Sequence, residues 1–228
     1  MEQSQFATLC TTMAPMHHRR QGYPFGSLVD FAVDGRGLPV FSLSSLAVHT
    51  RNIKTDPKCS IQVQAPGWSG LANARLTLFG DVYPIAEENE ELAQEIFLEK
   101  HGSDYAQSTH MGNSTYWIMA NIVDVYFVGG FGTVCWIQGQ DYLRVNPDEI
   151  LCGEYHRTLR RLNERYRAPL MKGLPSCEDI NIMSIDKKGL ELKMRDAGEY
   201  SIRRLSFAAD VHNFAEACRE CDKILLSS

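Results

Sequence analysis

The four residues Asp34-Gly35-Arg36-Gly37 constrain this chain most. Asp-Gly tolerates the positive φ of a tight hairpin. The turn joins the alternating run 27–34 (SLVDFAVD) to a returning run 39–44 (PVFSLS). Strands joined by so short a connection pair antiparallel, because a parallel pair needs a crossover of a dozen residues or more. The first half repeats this texture, with further strands expected at 6–12, 59–64, 75–85, 116–128 and 131–137. Gly80 reads as a bulge where its strand bends. His17-His18-Arg19-Arg20-Gln21-Gly22 reads as a solvated hairpin or loop, and Pro66-Gly67-Trp68-Ser69-Gly70 as another loop. Such a series of antiparallel strands with two short helices inserted predicts a barrel or a sandwich.

The first of those helices is expected at 45–54, ended by Asp56-Pro57. The second is expected at 87–100, with Leu92, Ile96 and Phe97 on one face. Glu87, Glu88, Glu90 and Glu91 suit the positive end of its dipole. After Asn146-Pro147 the texture changes. A basic helix at 155–166, a loop containing Gly173 and Pro175, three strands (180–185, 190–194, 200–205) and a closing helix at 207–226 make a small second element. The division expected is a β domain over 1–148 and an α/β domain over 149–228.

A chain of 228 residues with 44% hydrophobic content and a net charge of −5 is long enough for a real core. Its mild acidity gives no general pull toward nucleic acid or anionic lipid. No apolar run approaches the roughly 20 residues that cross a bilayer as a helix. The seven cysteines are an odd count, with Cys10, Cys59 and Cys135 inside strand-like stretches, which points to a reducing compartment. The opening MEQSQFATLC shows neither a basic segment followed by a long apolar run nor an Arg/Ser-rich start.

Chemistry concentrates in Ser44-Ser45-Leu46-Ala47-Val48-His49-Thr50-Arg51-Asn52. A strand feeding a short helix offers free backbone N–H groups to an anion. Hydroxyls at Ser44, Ser45 and Thr50 with the Arg51 guanidinium would complete a phosphate or carboxylate clamp. The plainer alternative makes Ser45 a helix cap and turns Arg51 to solvent. Lys58 and Arg75 are further positive candidates or else ordinary surface charges, and His49 is either a packing residue or a ligand or base. The glycines of 126–133 (YFVGGFGT) allow a sharp corner at a subunit seam or beside a flat ligand. Cys218 and Cys221, three apart on a helix, read as packing residues rather than metal ligands.

Several motifs resemble the haem-utilisation (HugZ-like) branch of the pyridoxamine 5′-phosphate oxidase-like, FMN-binding split barrels. They are Gln5-Phe6-Ala7-Thr8-Leu9, Gly22-Tyr23-Pro24, Asp30 to Asp34, Ser44 to Asn52, Asp56 to Ser60, Arg75 to Gly80 and Val128 to Gly132. Their order agrees over residues 4 to 145, and the chain looks most like plant and algal plastid members. The resemblance implies a six-stranded antiparallel split β-barrel, mainly β, with a small C-terminal α/β domain. It also implies a homodimer with a cofactor site shared at the interface, and a plastid stromal location in place of a cytoplasmic one. Carried over by position, the flavin-phosphate contacts fall on Ser44, Thr50, Arg51, Lys58 and Arg75.

The chain departs from the family in its second domain. Haem-utilising members open it with a His-Met-Asn-x-Asp-His stretch, whereas Pro169-Leu170-Met171-Lys172-Gly173-Leu174-Pro175 stands here without a histidine. Three readings follow from the resemblance. The first is an FMN-binding protein, either an FMN-linked oxidoreductase or one with a vestigial flavin site. The second is a non-catalytic tetrapyrrole (haem)-binding or regulatory protein, with a protein partner. The third is a haem oxygenase, which the missing histidines set behind the other two.

Overall fold

The computed structural model describes residues 1, 3–65, 70–71, 73–102, 114–130, 132–151, 155–173 and 177–227. The loop at 66–69, Phe131 and Pro175 lie outside these described residues. The chain divides into two compact units, Met1–Val145 and Asn146–Ser228.

The first unit is built from strands β1 (Phe6–Thr12), β2 (Pro24–Val33), β3 (Pro39–Ser44), β4 (Lys58–Gln64), β5 (Arg75–Pro84), β6 (Ser114–Gly130) and β7 (Thr133–Gln138). All neighbours pair antiparallel in the order β3-β2-β1-β4-β5-β6-β7, and β3 pairs also with β6. That last pairing closes six strands into a barrel and leaves β7 as an extra strand. Alternation puts every second side chain inside, where Leu9, Phe31, Phe41, Leu43, Ile61, Leu78 and Met119 are fully buried.

The Asp34 turn closes the β2–β3 hairpin, but its positive φ falls on Gly37 (+86°), not on the Asp-Gly step. Asp34 instead works through its carboxylate, which accepts the backbone N–H groups of Arg36 (2.9 Å) and Leu38 (2.8 Å). Gly80 sits at a register shift of the β5–β6 ladder, as a bulge should. A Cβ there would stand 2.3 Å from the Asn121 carbonyl oxygen and 2.8 Å from Met119 Cγ, so only glycine fits.

Two helices pack on the barrel, and a third short one, α3 (Gly139–Arg144), was not anticipated. Helix α1 (Val48–Thr55) is shorter than expected and begins at Ala47, which gives no side-chain cap. Ser45 therefore does not cap it; within the same turn the Ser44 hydroxyl accepts the Leu46 N–H (3.3 Å). Asn52 seats α1: its Oδ1 accepts the Ala14 N–H (3.0 Å) and its Nδ2 donates to Thr11 Oγ1 (2.9 Å). Helix α2 (Glu90–His101) buries Ala93, Phe97 and Lys100, whereas Leu92, expected inside, is exposed.

The second unit holds a three-stranded sheet, β8 (Cys177–Asp186), β9 (Gly189–Asp196) and β10 (Glu199–Ser206), with helices α4 (Tyr155–Lys172) and α5 (Phe214–Ser227). Helix α4 runs past its expected end and includes Pro169, and α5 begins later than the pattern indicated. Tyr155, Leu162, Tyr166, Ile180, Ile182, Leu190 and Leu192 form the core, with Cys218 and Cys221 buried among them. Asn163 pins helix to sheet, since its amide donates to the Ile182 carbonyl (2.9 Å) and accepts the Ile182 N–H (2.8 Å).

Two substitutions test this packing. Gly80→Val should destabilise the barrel by about 3 kcal/mol through backbone overlap, read as a lower urea midpoint. Asn52→Ala leaves the buried Ala14 N–H without an acceptor and should cost about 1–3 kcal/mol in the same measurement.

Candidate functional site

The segment that sequence chemistry marked out folds as a turn plus α1, and its polar groups turn largely on one another. Thr50 is fully buried, and its hydroxyl donates to the Ser44 carbonyl (2.7 Å). The Ser44 carbonyl also accepts the Ala47 N–H (3.1 Å). Ser45 is half-buried in the same turn. His49 is half-buried, its Nδ1 lies 2.9 Å from Ser27 Oγ, and burial lowers its pKa below the usual imidazole value. Protonation then works against the fold, so the stability tied to His49 is full above the ordinary imidazole range and declines as pH falls through it. Arg51 is exposed and has no carboxylate partner among the described residues.

The remaining two positions lie elsewhere. Lys58 starts β4 opposite Asp81, whereas Arg75 starts β5 opposite Gln64. They therefore stand at opposite ends of one ladder, roughly 20 Å apart at about 3.4 Å per residue. Arg75 donates to the Leu71 carbonyl (3.0 Å), and the Lys58 backbone N–H to Asp56 Oδ1 (3.1 Å). Within one protomer Ser44, Ser45, His49, Thr50 and Arg51 are together, and Lys58 and Arg75 do not share a point with each other.

A cavity of about 490 Å³ opens beside α1. Val48 from α1 gives one wall and Met13, Pro24 and Phe25 another, with Tyr23 at the rim. Arg19 and Arg20 bring positive charge, and His17 brings an imidazole ring. These three come from a 3-10 turn, Pro15–Arg20, with no buried residue, in keeping with the solvated hairpin or loop expected at 17–22. The turn is an excursion of the β1–β2 hairpin, whose base is closed by Met13 N–H to the Tyr23 carbonyl and Gly22 N–H to the Met13 carbonyl, both 2.9 Å. The signal in the sequence is the block of two histidines and two arginines just ahead of Tyr23 and Phe25.

Two features of this turn cost stability. His17 Nε2 is buried without a hydrogen-bond partner, a loss of about 1–3 kcal/mol. His18 holds φ 48° and ψ −108°, a backbone state that costs about 1–3 kcal/mol in a non-glycine residue. An orphaned ring nitrogen, two arginines and an apolar wall suit a flat ligand carrying carboxylates, with room in the range usual for small-molecule sites.

On another face, Phe79, Val134 and Trp136 are exposed. Trp136 packs against Phe79 (ring centroids 5.8 Å apart) and Tyr126 (4.8 Å). Among the described residues no three His, Cys, Asp or Glu side chains converge as a metal site, and no helix is long and apolar enough to cross a membrane.

Comparison with known proteins places this architecture. Over 94 residues the chain is 36% identical to HOZ, a chloroplastic heme oxygenase of Arabidopsis thaliana; the stretch is 41% of this chain and 29% of that protein. A heme binding protein from Mycobacterium smegmatis superposes with a TM-score of 0.60 at 22% identity, over 99% of this chain and 92% of that one. ChuZ from Campylobacter jejuni gives 0.52 at 19% identity, over 62% of this chain and 57% of that one. At such identities the structural likeness is one of fold. The profile described as "CREG, beta-barrel" matches residues 1–144, nearly the range over which the split-barrel motifs run, and the chain belongs to this CREG β-barrel family of split-barrel, pyridoxamine 5′-phosphate oxidase-like proteins.

Proposed function

We propose that the barrel unit binds a haem-class tetrapyrrole. The observation that carries this reading is the cavity beside α1, where His17, Arg19 and Arg20 face an apolar wall that includes Val48 of the Ser44–Asn52 segment. Arg51, one helical turn beyond Val48, adds on the same side of α1 a cation with no carboxylate partner among the described residues. Carboxylates on a macrocycle are natural partners for such guanidinium groups. The names of two relatives, a heme oxygenase and a heme binding protein, support the same ligand class. The chloroplast location of HOZ supports a plastid setting for this chain.

The FMN reading needs Ser44, Thr50, Arg51, Lys58 and Arg75 to serve one flavin phosphate, with Ser45 and His49 beside them. The hydroxyl hydrogen of Thr50 is already given to the Ser44 carbonyl, and Lys58 and Arg75 are at opposite ends of a ladder. Haem is therefore the better match within a protomer. When bound, haem supplies a redox-active iron. The chain's own residues supply the enclosure, the counter-charges and the orientation. Whether bound haem is consumed or only held separates the enzyme from the binding or regulatory protein.

We also infer pairing with a second copy through the aromatic face of β5–β7. Phe79, Tyr126 and Trp136 make a contiguous apolar surface beside the glycine-rich end of β6, the kind of patch that marks an interface.

Titration of ferric haem should give a Soret change that saturates at one haem per chain, and its absence at tens of micromolar protein rejects the haem reading. Saturable quenching of FMN fluorescence without a haem response would restore the flavin. Light scattering should give twice the 25.7 kDa chain mass, and Trp136→Glu should return the monomer.

A further inference from the structure

The cavity's most unusual wall is the Pro15–Arg20 turn, which differs from the rest of the barrel in three ways. His17 Nε2 has no hydrogen-bond partner although it is buried, and its side chain lines the cavity. Buried polar atoms in folded proteins are nearly always satisfied, so this exception marks a ring that would gain a partner by turning toward the cavity its side chain lines. His18, the next residue, holds a positive φ outside the ordinary left-handed well. Strained backbone of this kind gathers at ligand sites, where the surrounding fold over-determines it. Here the hairpin base from Met13 to Tyr23 fixes the ends of the turn, and the kink at His18 separates His17 from Arg19 and Arg20. Both arginines are exposed, and neither pairs with a carboxylate among the described residues.

We propose that this turn is the recognition element for haem, with His17 Nε2 as the iron ligand and Arg19 and Arg20 as the partners of the two carboxylates. The proposal rests on the haem reading above and deepens it. A neutral imidazole nitrogen donates its lone pair to iron and replaces a bound water, and no electron changes hands. Because Nε2 is buried in the unliganded chain, the ring has to turn about its side-chain bonds to present that atom to the cavity. Satisfying the orphaned nitrogen and neutralising two adjacent guanidinium groups then happen in one binding event.

The test uses the full chain and two probes, ferric haem and iron-free protoporphyrin IX. In the unaltered protein both should bind, with an imidazole-type ferric spectrum for haem by absorption and electron paramagnetic resonance. His17→Ala should lose that spectrum and weaken haem by about tenfold or more. It should leave protoporphyrin affinity unchanged, and added imidazole should restore the spectrum. The double variant Arg19→Ala/Arg20→Ala should weaken both probes by about 10- to 100-fold while keeping the imidazole spectrum. His212→Ala in the second unit should change nothing. An unaltered spectrum in His17→Ala, or its loss in His49→Ala instead, overturns the assignment of the ligand. Undiminished protoporphyrin binding by the arginine variant overturns the carboxylate assignment. Failure of the unaltered protein to bind either probe overturns the haem reading itself.

Discussion

The amide of Asn52 is the joint on which the candidate site hangs. It is buried and spends both ends across sequence, one on the Ala14 N–H and the other on the Thr11 hydroxyl. Thr11 belongs to the last turn of strand before the Pro15–Arg20 excursion, and Ala14 is the residue that enters it. The helix carrying Val48, His49 and Arg51 is thereby tied to the strand end that carries His17, Arg19 and Arg20. Moving α1 away from this strand end breaks two buried hydrogen bonds, so the helix wall of the cavity and the entry to the charged turn are held together by the barrel.

The two units use their positive charge differently. In the second unit most cations are matched: Arg165 with Asp222, Arg167 with Asp179, Lys188 with Asp210, Arg204 with Asp186 and Lys223 with Glu220. The exposed pairs of Arg165, Arg167 and Lys188 contribute little to stability individually, but the first two leave the helix with fewer free charges than its basic sequence implied. Arg161, also on that helix, lies over the Phe214 ring, 3.8 Å from its centroid. Around the cavity the opposite holds, because Arg19, Arg20 and Arg51 have no carboxylate partner among the described residues. Unspent charge beside an apolar wall is what a binding surface for an anionic, flat molecule requires.

The strands were legible because a period of two is a local signal. Phe41 and Leu43 of β3, and Ile61 and Val63 of β4, announce their inner face without knowledge of any neighbour. The helices were less so. Ser45 has the chemistry of a cap, yet the chain turns through Ala47 first, a choice set by the Ser44 carbonyl that holds both Ala47 and Thr50. Gly139–Arg144 is too short to show a helical period, and its glycine is dictated by the Ile122 carbonyl, 2.0 Å from where a Cβ would stand. The site was legible only in part for the same reason. The Ser44–Asn52 motif could be picked out by composition, whereas the cavity depends on a charged turn meeting a helix far along the chain, which no local pattern records.

The seam of the barrel has a consequence for biosynthesis. Strand β3 closes on β6, pairing Val40 with Ile118 and Phe41 with Trp117, after the chain has made α1, β4, β5 and α2. Until β6 leaves the ribosome, β3 and β5 each show a row of open backbone groups over a half-covered apolar interior. Open edges of this sort recruit other strands, including those of a neighbouring nascent chain. Safe production of the protein therefore depends on what shields those edges during the interval before β6 arrives, and a transcript that stops short of Trp117 yields an adhesive sheet in place of a smaller barrel.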